Sequence, residues 1–248
     1  MRKSAIFLLF VAFCLTILGL SAQGGIAVPP QTARTKTEAE GKQKPEDSKQ
    51  RPVAKSKVYL LHSDLLRKDA SHPDAQIVTG NVSFRHDSVY MYCDSACYYD
   101  KVSSFEAFGN VKMVQGDTLF LYGDRLYYDG LTQIAEMRCN VRMENRTTTL
   151  LTDSLNYDRV YNLGYFFDGG TLMDEQNVLT SEWGEYSPQT KQSVFNYNVK
   201  LVNPQFTLTS DTLRYNTASK VADIVGPSDI WSDANHIYSE KGTYNTID

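Results

Sequence analysis

Apolar and acidic positions keep a fixed distance from one another along most of this chain. Leu61, Met91, Leu121, Leu150, Leu179, Leu208 and Ile237 each stand three residues before an acidic residue: Asp64, Asp94, Asp124, Asp153, Glu182, Asp211 and Glu240. The acidic residues are spaced by 30, 30, 29, 29, 29 and 29 positions. Four residues after each comes Lys68 and then Tyr98, Tyr128, Tyr157, Tyr186, Tyr215 and Tyr244. A period in this range marks one supersecondary unit stacked on itself, here about seven repeats of 29 residues.

Within a repeat the pattern predicts strands. Phe105 to Met113 alternates apolar with polar or small residues, Gln115-Gly116-Asp117 turns the chain, Thr118 to Tyr128 runs extended, and Asp129-Gly130 turns it again. Such turn dipeptides between alternating runs are a hairpin signal. No amphipathic stretch of period 3.6 interrupts residues 57–248, and Thr, Tyr, Val and Phe are abundant, so the fold class is all-β.

The apolar columns lie three before and two after each carboxylate, the latter being Leu66, Ala96, Leu126, Leu155, Gly184, Leu213 and Gly242. Side chains alternate faces with period two, so an odd offset cannot keep both columns on one face. An extra residue must be absorbed at the carboxylate, as a bulge or corner. Bent strands stacked in this way make a V-shaped sheet with apolar inner faces. An antiparallel meander would set equivalent positions about 9.6 Å apart and a parallel solenoid about 4.8 Å apart. Mutual repulsion of carboxylates at the shorter spacing and the turn signals at both strand ends favour the meander.

The ends and the charge refine this picture. Residues 1–22 read as a cleaved secretory signal: Arg2 and Lys3, an apolar run from Ala5 to Leu20, then Ser21-Ala22. Residues 23–56 hold four of the eight prolines, seven Lys/Arg, four Asp/Glu and no aromatic residue, which predicts a disordered basic tether. Residues 57–248 carry 16 basic and 25 acidic residues, net −9, so no nucleic-acid partner is expected. Cys93 and Cys97 stand too far apart on one strand for a disulfide, about 13 Å at ~3.3 Å per residue. A bridge from Cys139 to one of them stays open.

The elements Gly80-Asn-Val, Gly109-Asn-Val, Cys139-Asn-Val and Tyr197-Asn-Val alternate with Gly123-Asp-Arg-Leu-Tyr-Tyr-Asp, Thr152-Asp-Ser-Leu-Asn-Tyr-Asp and Ser210-Asp-Thr-Leu-Arg-Tyr-Asn. In these elements the chain, over roughly 58–248, resembles the OstA/LptA family of lipopolysaccharide-transport proteins, which includes the N-terminal domain of the outer-membrane LptD. The departures are Gly170-Thr171 in place of Asn-Val, Glu182-Trp183-Gly184 in place of Asp-x-Leu, and Asp229-Ile230 and Gly242 in the last repeat. The resemblance implies a V-shaped antiparallel β-jelly roll, a β-taco, whose groove shields lipid A acyl chains in the periplasm on the way to outer-membrane assembly. It implies lipopolysaccharide as ligand, an outer-membrane LptD-like component as partner, and docking of other jelly-roll proteins by edge-strand pairing.

The expected groove residues are Met91, Leu121, Leu150, Leu179 and Leu208, with Val111, Met113, Val141, Met143 and Leu201 facing them. The carboxylate column reads as a corner hydrogen-bonding device. An acidic protein handling an anionic lipid holds the acyl chains and leaves the headgroup in solvent, or uses bridging cations. His62, His72, His86 and His236 occupy unrelated repeat positions and no catalytic motif is present, so no catalytic residue, metal or cofactor is expected. The rival reading is a structural or adhesive β-repeat protein with a closed core and no lipid.

Overall fold

Each repeat builds its two strands from the alternation just described, and each strand bends where the carboxylate or the Asn-Val element interrupts that alternation. The computed structural model describes residues 56–69 and 72–247; the expected leader and all but the last residue of the expected tether lie outside the described residues. The strands are β1 (Tyr59–His62), β2 (Leu65–Asp69), β3 (His72–His86), β4 (Val89–Tyr99), β5 (Ser104–Gln115) and β6 (Leu119–Asp129). They continue as β7 (Ile134–Asn145), β8 (Thr148–Asp158), β9 (Leu163–Phe166), β10 (Gly170–Asp174), β11 (Asn177–Ser181) and β12 (Trp183–Tyr186). The last are β13 (Gln192–Asn203), β14 (Phe206–Asn216), β15 (Val221–Ile224), β16 (Ser228–Ser232), β17 (Asn235–Ser239) and β18 (Gly242–Asn245).

Every pairing is antiparallel and follows chain order, so the meander is the observed architecture. Four runs are broken at the bend into two short strands: β1/β2, β9/β10, β15/β16 and β17/β18 each pair as two arms of one bent strand. β11/β12 does the same around Glu182. Four of these breaks adjoin the departures at Gly170-Thr171, Glu182-Trp183-Gly184, Asp229-Ile230 and Gly242.

The corner is a two-against-one bulge. Gly80-Asn81 oppose Asp94, Gly109-Asn110 oppose Asp124, Cys139-Asn140 oppose Asp153, and Tyr197-Asn198 oppose Asp211. Both residues of each pair take positive φ, for example +75° at Gly109 and +45° at Asn110. The two left-handed residues lie on the bulged strand, where Ala107 and Met113 are an even six apart; they face Leu126 and Leu121, an odd five apart on the carboxylate strand, so the extra bulge residue lets both apolar columns stay inside. A Cβ on Gly109 would lie 2.5 Å from Asp94 Oδ2, and one on Gly80 2.3 Å from Asp64 Oδ2, so glycine is favoured at both positions by space and by φ.

The bends divide the sheet into two wings, which fold together over one core. Fully buried side chains come from both: Phe84, Met91, Met113 and Leu121 from one wing, Phe105, Leu126, Tyr128 and Met137 from the other. Each such side chain contributes roughly 1.5–3 kcal/mol by leaving water. No disulfide joins Cys93, Cys97 or Cys139, so the bridge left open by the sequence is not formed.

Candidate lipid slot between the wings

The expected groove residues form one unbroken row. Met91 pairs with Met113, Met113 with Leu121, Leu121 with Met143, Met143 with Leu150, and Leu150 with Leu172. The row continues through Leu179, Leu201 and Leu208 to Ile230. Val111 and Val141 lie one step nearer the corner on the same wing. The expectation that Val111, Met113, Val141, Met143 and Leu201 face the other five is therefore corrected. All ten are neighbours on one wing, because each hairpin turn lays Met113 beside Leu121 rather than opposite it.

The opposite wall is the other wing: Ala96, Ala107, Leu126, Met137, Leu155, Phe166, Phe195 and Leu213, again buried. The two walls touch. A Cβ on Gly164, on the second wing, would meet Met143 Sδ of the first at 3.3 Å. All ten expected groove residues are at most 2% exposed, so the slot is shut and filled with its own side chains. The row runs on through Phe84 to the partly buried Leu60 at one end and to Ile237, 54% exposed, at the other; Leu61, 49% exposed, lies in the irregularity between Leu60 and His62 and is off the row.

At the closed corner, the asparagine of each Asn-Val element donates to the carboxylate of the preceding strand. Asn81 reaches Asp64 at 3.0 Å, Asn110 reaches Asp94 at 2.8 Å, Asn140 reaches Asp124 at 2.6 Å and Asn198 reaches Glu182 at 2.5 Å. The carboxylates are exposed and bonded within the bend, which is the corner device read from the sequence. Among the described residues no cluster of His, Cys, Asp or Glu is arranged to hold a metal ion.

The opposite edge, the mouth of the V, is closed by a polar ladder that the sequence reading missed. His86, Gln115, Asn145, Asp174 and Asn203 recur at intervals of 29 or 30 at the tips of the first wing. Four of them are buried, with His86 and Asp174 at 0% exposure. The tyrosine column of the second wing meets them with its hydroxyls. His86 Nδ1 lies 2.6 Å from Tyr128 Oη, Tyr186 Oη donates to Asn145 at 3.4 Å, and Tyr215 Oη donates to Asp174 at 2.8 Å. A second column on the same wing, also spaced by 29, completes the rungs: Gln115 donates to Asn162 at 2.8 Å, Lys191 donates to Asn145, and Lys220 donates to Asp174 at 2.7 Å. Arg159 donates to Tyr128 and lies 3.0 Å from His86 Nδ1.

Burial sets the protonation of this ladder. It pushes the Tyr128 and Tyr157 hydroxyls up to about 12, against a smaller opposing pull from Arg159. Burial, with the Arg159 charge behind it, holds His86 below its ordinary value and therefore neutral. Lys191 is lowered by burial first and then by the Arg146 charge.

The ladder is backed by main chain at its two ends. Near the first rungs, Val58 is fully buried, its carbonyl accepts from Tyr98 Oη at 2.8 Å, and Lys57 pairs with Asp100 at 2.8 Å. Near the last, Thr246 N donates to Lys220 O at 2.9 Å and Asn203 donates to Thr246 O at 3.2 Å. Between them, Gln115 bonds Asn162, and Asn145 accepts from Tyr186 and Lys191.

The sequence profile of OstA-like proteins matches residues 55–211. The chain belongs to the OstA-like family. No curated protein matches it. Among solved structures it is similar to LptH, the LptA homologous periplasmic component of the conserved lipopolysaccharide transport device from Pseudomonas aeruginosa. That likeness has 13% identity and a TM-score of 0.37, over 40% of this chain and 76% of the LptH chain.

Proposed function

We propose that this OstA-like domain is a non-enzymatic, extracytoplasmic lipid carrier that takes the acyl chains of lipopolysaccharide or a similar lipid between its wings. The observation that carries this reading is the unbroken apolar row from Met91 to Ile230, faced by the buried second wing and surfacing at Ile237. A slot of that composition solvates acyl chains at about 0.8 kcal/mol per buried CH₂. Lipid then replaces contacts between the wings rather than filling a standing cavity, so binding requires them to part.

The exposed ends supply the second part of the proposal. Among the described residues β1 and β2 pair only with β3, while β17 and β18 pair only with β16 and β15. Each end thus presents a free strand edge beside an exposed apolar residue, the surface on which another jelly-roll domain adds a strand. An LptD-like outer-membrane component fits this role, and the periplasm is the compartment in which such a carrier works.

The shut core equally suits the second reading, a structural or adhesive β-repeat without lipid. Mass spectrometry of organic extracts from the protein purified without detergent separates the two. A stoichiometric phospholipid or lipid A species is the expected result; its absence from several preparations favours the structural repeat.

A further inference from the structure

The outward positions of the first wing form two rows in which rings and cations alternate. Cross-strand register sets Tyr92, Lys112, Tyr122, Arg142 and Leu151 side by side, one on each strand from β4 to β8. One step nearer the mouth, Arg85, Tyr90, Val114, Phe120 and Glu144 make the second row, from β3 to β7. These positions alternate along each strand with the buried groove residues, so the pleat aims them away from the core. Lys112 Nζ lies 5.6 Å from the centre of the Tyr122 ring and 5.5 Å from that of Phe120, and the Arg142 guanidinium lies 4.4 Å from Tyr122. Contacts of this kind are weak at an exposed site and leave the charge of each cation uncompensated. Tyr90, Tyr92 and Leu151 remain 38%, 44% and 37% exposed, so the face still has apolar surface to bury.

The two outer faces of the folded sheet differ in sign. Across β3 to β8 the outward positions of the first wing hold Arg85, Lys112 and Arg142 against Glu144. Those of the second wing hold Arg125 and Arg138 against Glu106, Asp129, Glu136 and Asp158. Glu144 pairs with Arg142 at 2.7 Å, while among the described residues Arg85 and Lys112 lie over rings and on no carboxylate. A domain of net charge −9 thus presents one basic, aromatic face.

The preceding chain adds to the same field. Residues 23–56, with seven Lys/Arg against four Asp/Glu, lead into β1, and the Arg85 guanidinium lies 5.9 Å from the Tyr59 ring of that strand. The basic segment therefore joins the fold at the edge of the basic face.

Two rows side by side make an area rather than a track. A flat surface covers such an area whole, whereas a single polymer strand covers one row. Tyrosine rings settle at the headgroup level of a bilayer, and basic side chains are drawn to an anionic leaflet. We propose that the outward face of the first wing, from β3 to β8, docks on an anionic phospholipid surface, with Tyr92 and Tyr122 among the headgroups and Arg85, Lys112 and Arg142 on lipid phosphates. Docking in this way needs no lipid between the wings and is independent of the carrier reading.

The test uses the chain purified from exporting cells, with vesicles of phosphatidylcholine alone or mixed equally with phosphatidylglycerol. Co-sedimentation is expected with the mixed vesicles only, and it should weaken as salt rises. Lys112→Gln with Arg142→Gln should weaken it about thirtyfold, the usual worth of two basic side chains at such a surface. Arg125→Gln with Arg214→Gln, on the outward face of the second wing, removes the same charge and should leave binding nearly unchanged. An environment-sensitive dye reads the orientation in a background with Cys14, Cys97 and Cys139 changed to Ser. Attached at Thr149→Cys, outward on the first wing, it should brighten on the mixed vesicles; at Tyr127→Cys, outward on the second, it should not.

Equal losses in the two charge pairs, or a dye response at Tyr127→Cys alone, would overturn the face. Equal binding to both kinds of vesicle would overturn the assignment of its cations to lipid phosphates. Retention on immobilised alginate that the first-wing pair abolishes, with no vesicle binding, would make the face a site for an anionic glycan and overturn the membrane assignment. Absence of binding to any of these surfaces would overturn the docking site outright.

Discussion

Lys220 Nζ lies 2.7 Å from Asp174 Oδ2 across the mouth of the folded sheet, between residues 46 apart in sequence. Asp174 is fully buried and also accepts from Tyr215 Oη at 2.8 Å, so this rung joins a charge pair to a phenol. Breaking a buried pair from one side leaves an uncompensated charge, which typically costs about 3–5 kcal/mol, whereas removing both partners costs far less. Lys220→Met is accordingly expected to lower the urea midpoint steeply. Lys220→Met combined with Asp174→Leu should recover most of the loss, and additive losses would mean that the pair does not hold the wings together.

His86 supplies a pH dependence of known sign. Its folded-state pKa is depressed by burial and by Arg159, so at mildly acidic pH the unfolded chain binds a proton that the folded chain does not. Stability from this site is fully present above the ordinary histidine value of about 6.5 and is lost as pH falls below it. Urea titrations at neutral pH and in mild acid should show a drop in the parent that His86→Gln reduces. An identical drop in both proteins would assign the acid sensitivity to other groups.

The corner geometry makes opposite forecasts for two residues at equivalent positions. Gly109 and Tyr197 both carry positive φ, +75° and +65°, at the first position of their bulges. A left-handed conformation costs an L-residue about 1–2 kcal/mol. Gly109→Ala should destabilise by that amount, and more until Asp94 moves aside. Tyr197→Gly, at a side chain 58% exposed, should stabilise by about 1 kcal/mol despite the extra freedom of glycine in the unfolded chain. Thermal melts of the two variants check both signs.

Much of this architecture was legible because its signals repeat. The carboxylate, apolar and tyrosine columns keep their spacing, and the odd offset between Leu121 and Leu126 required the bulge seen at Asp124. The wall assignment failed for a geometric reason. Met113 and Leu121 are almost equidistant from the Gly116-Asp117 turn, so the hairpin lays them side by side, and both cannot then line opposite walls. The ladder column was missed because His86, Gln115, Asn145, Asp174 and Asn203 share polarity and spacing but not identity. Nothing local marks them as buried, since their partners at Tyr128, Tyr186, Lys191 and Lys220 lie more than a full repeat away. A search for periodic polar positions before each hairpin turn would have found them.

The central claim is that acyl chains occupy the space between the wings. A photo-crosslinking amino acid at Leu121 or Leu150, fully or nearly fully buried, and at the exposed Arg125 tests it in living cells. Lipopolysaccharide adducts at the two inner positions and none at Arg125 are the expected result. A folded, exported protein that gives no lipid adduct at either inner position would contradict the carrier reading and leave a structural β-repeat.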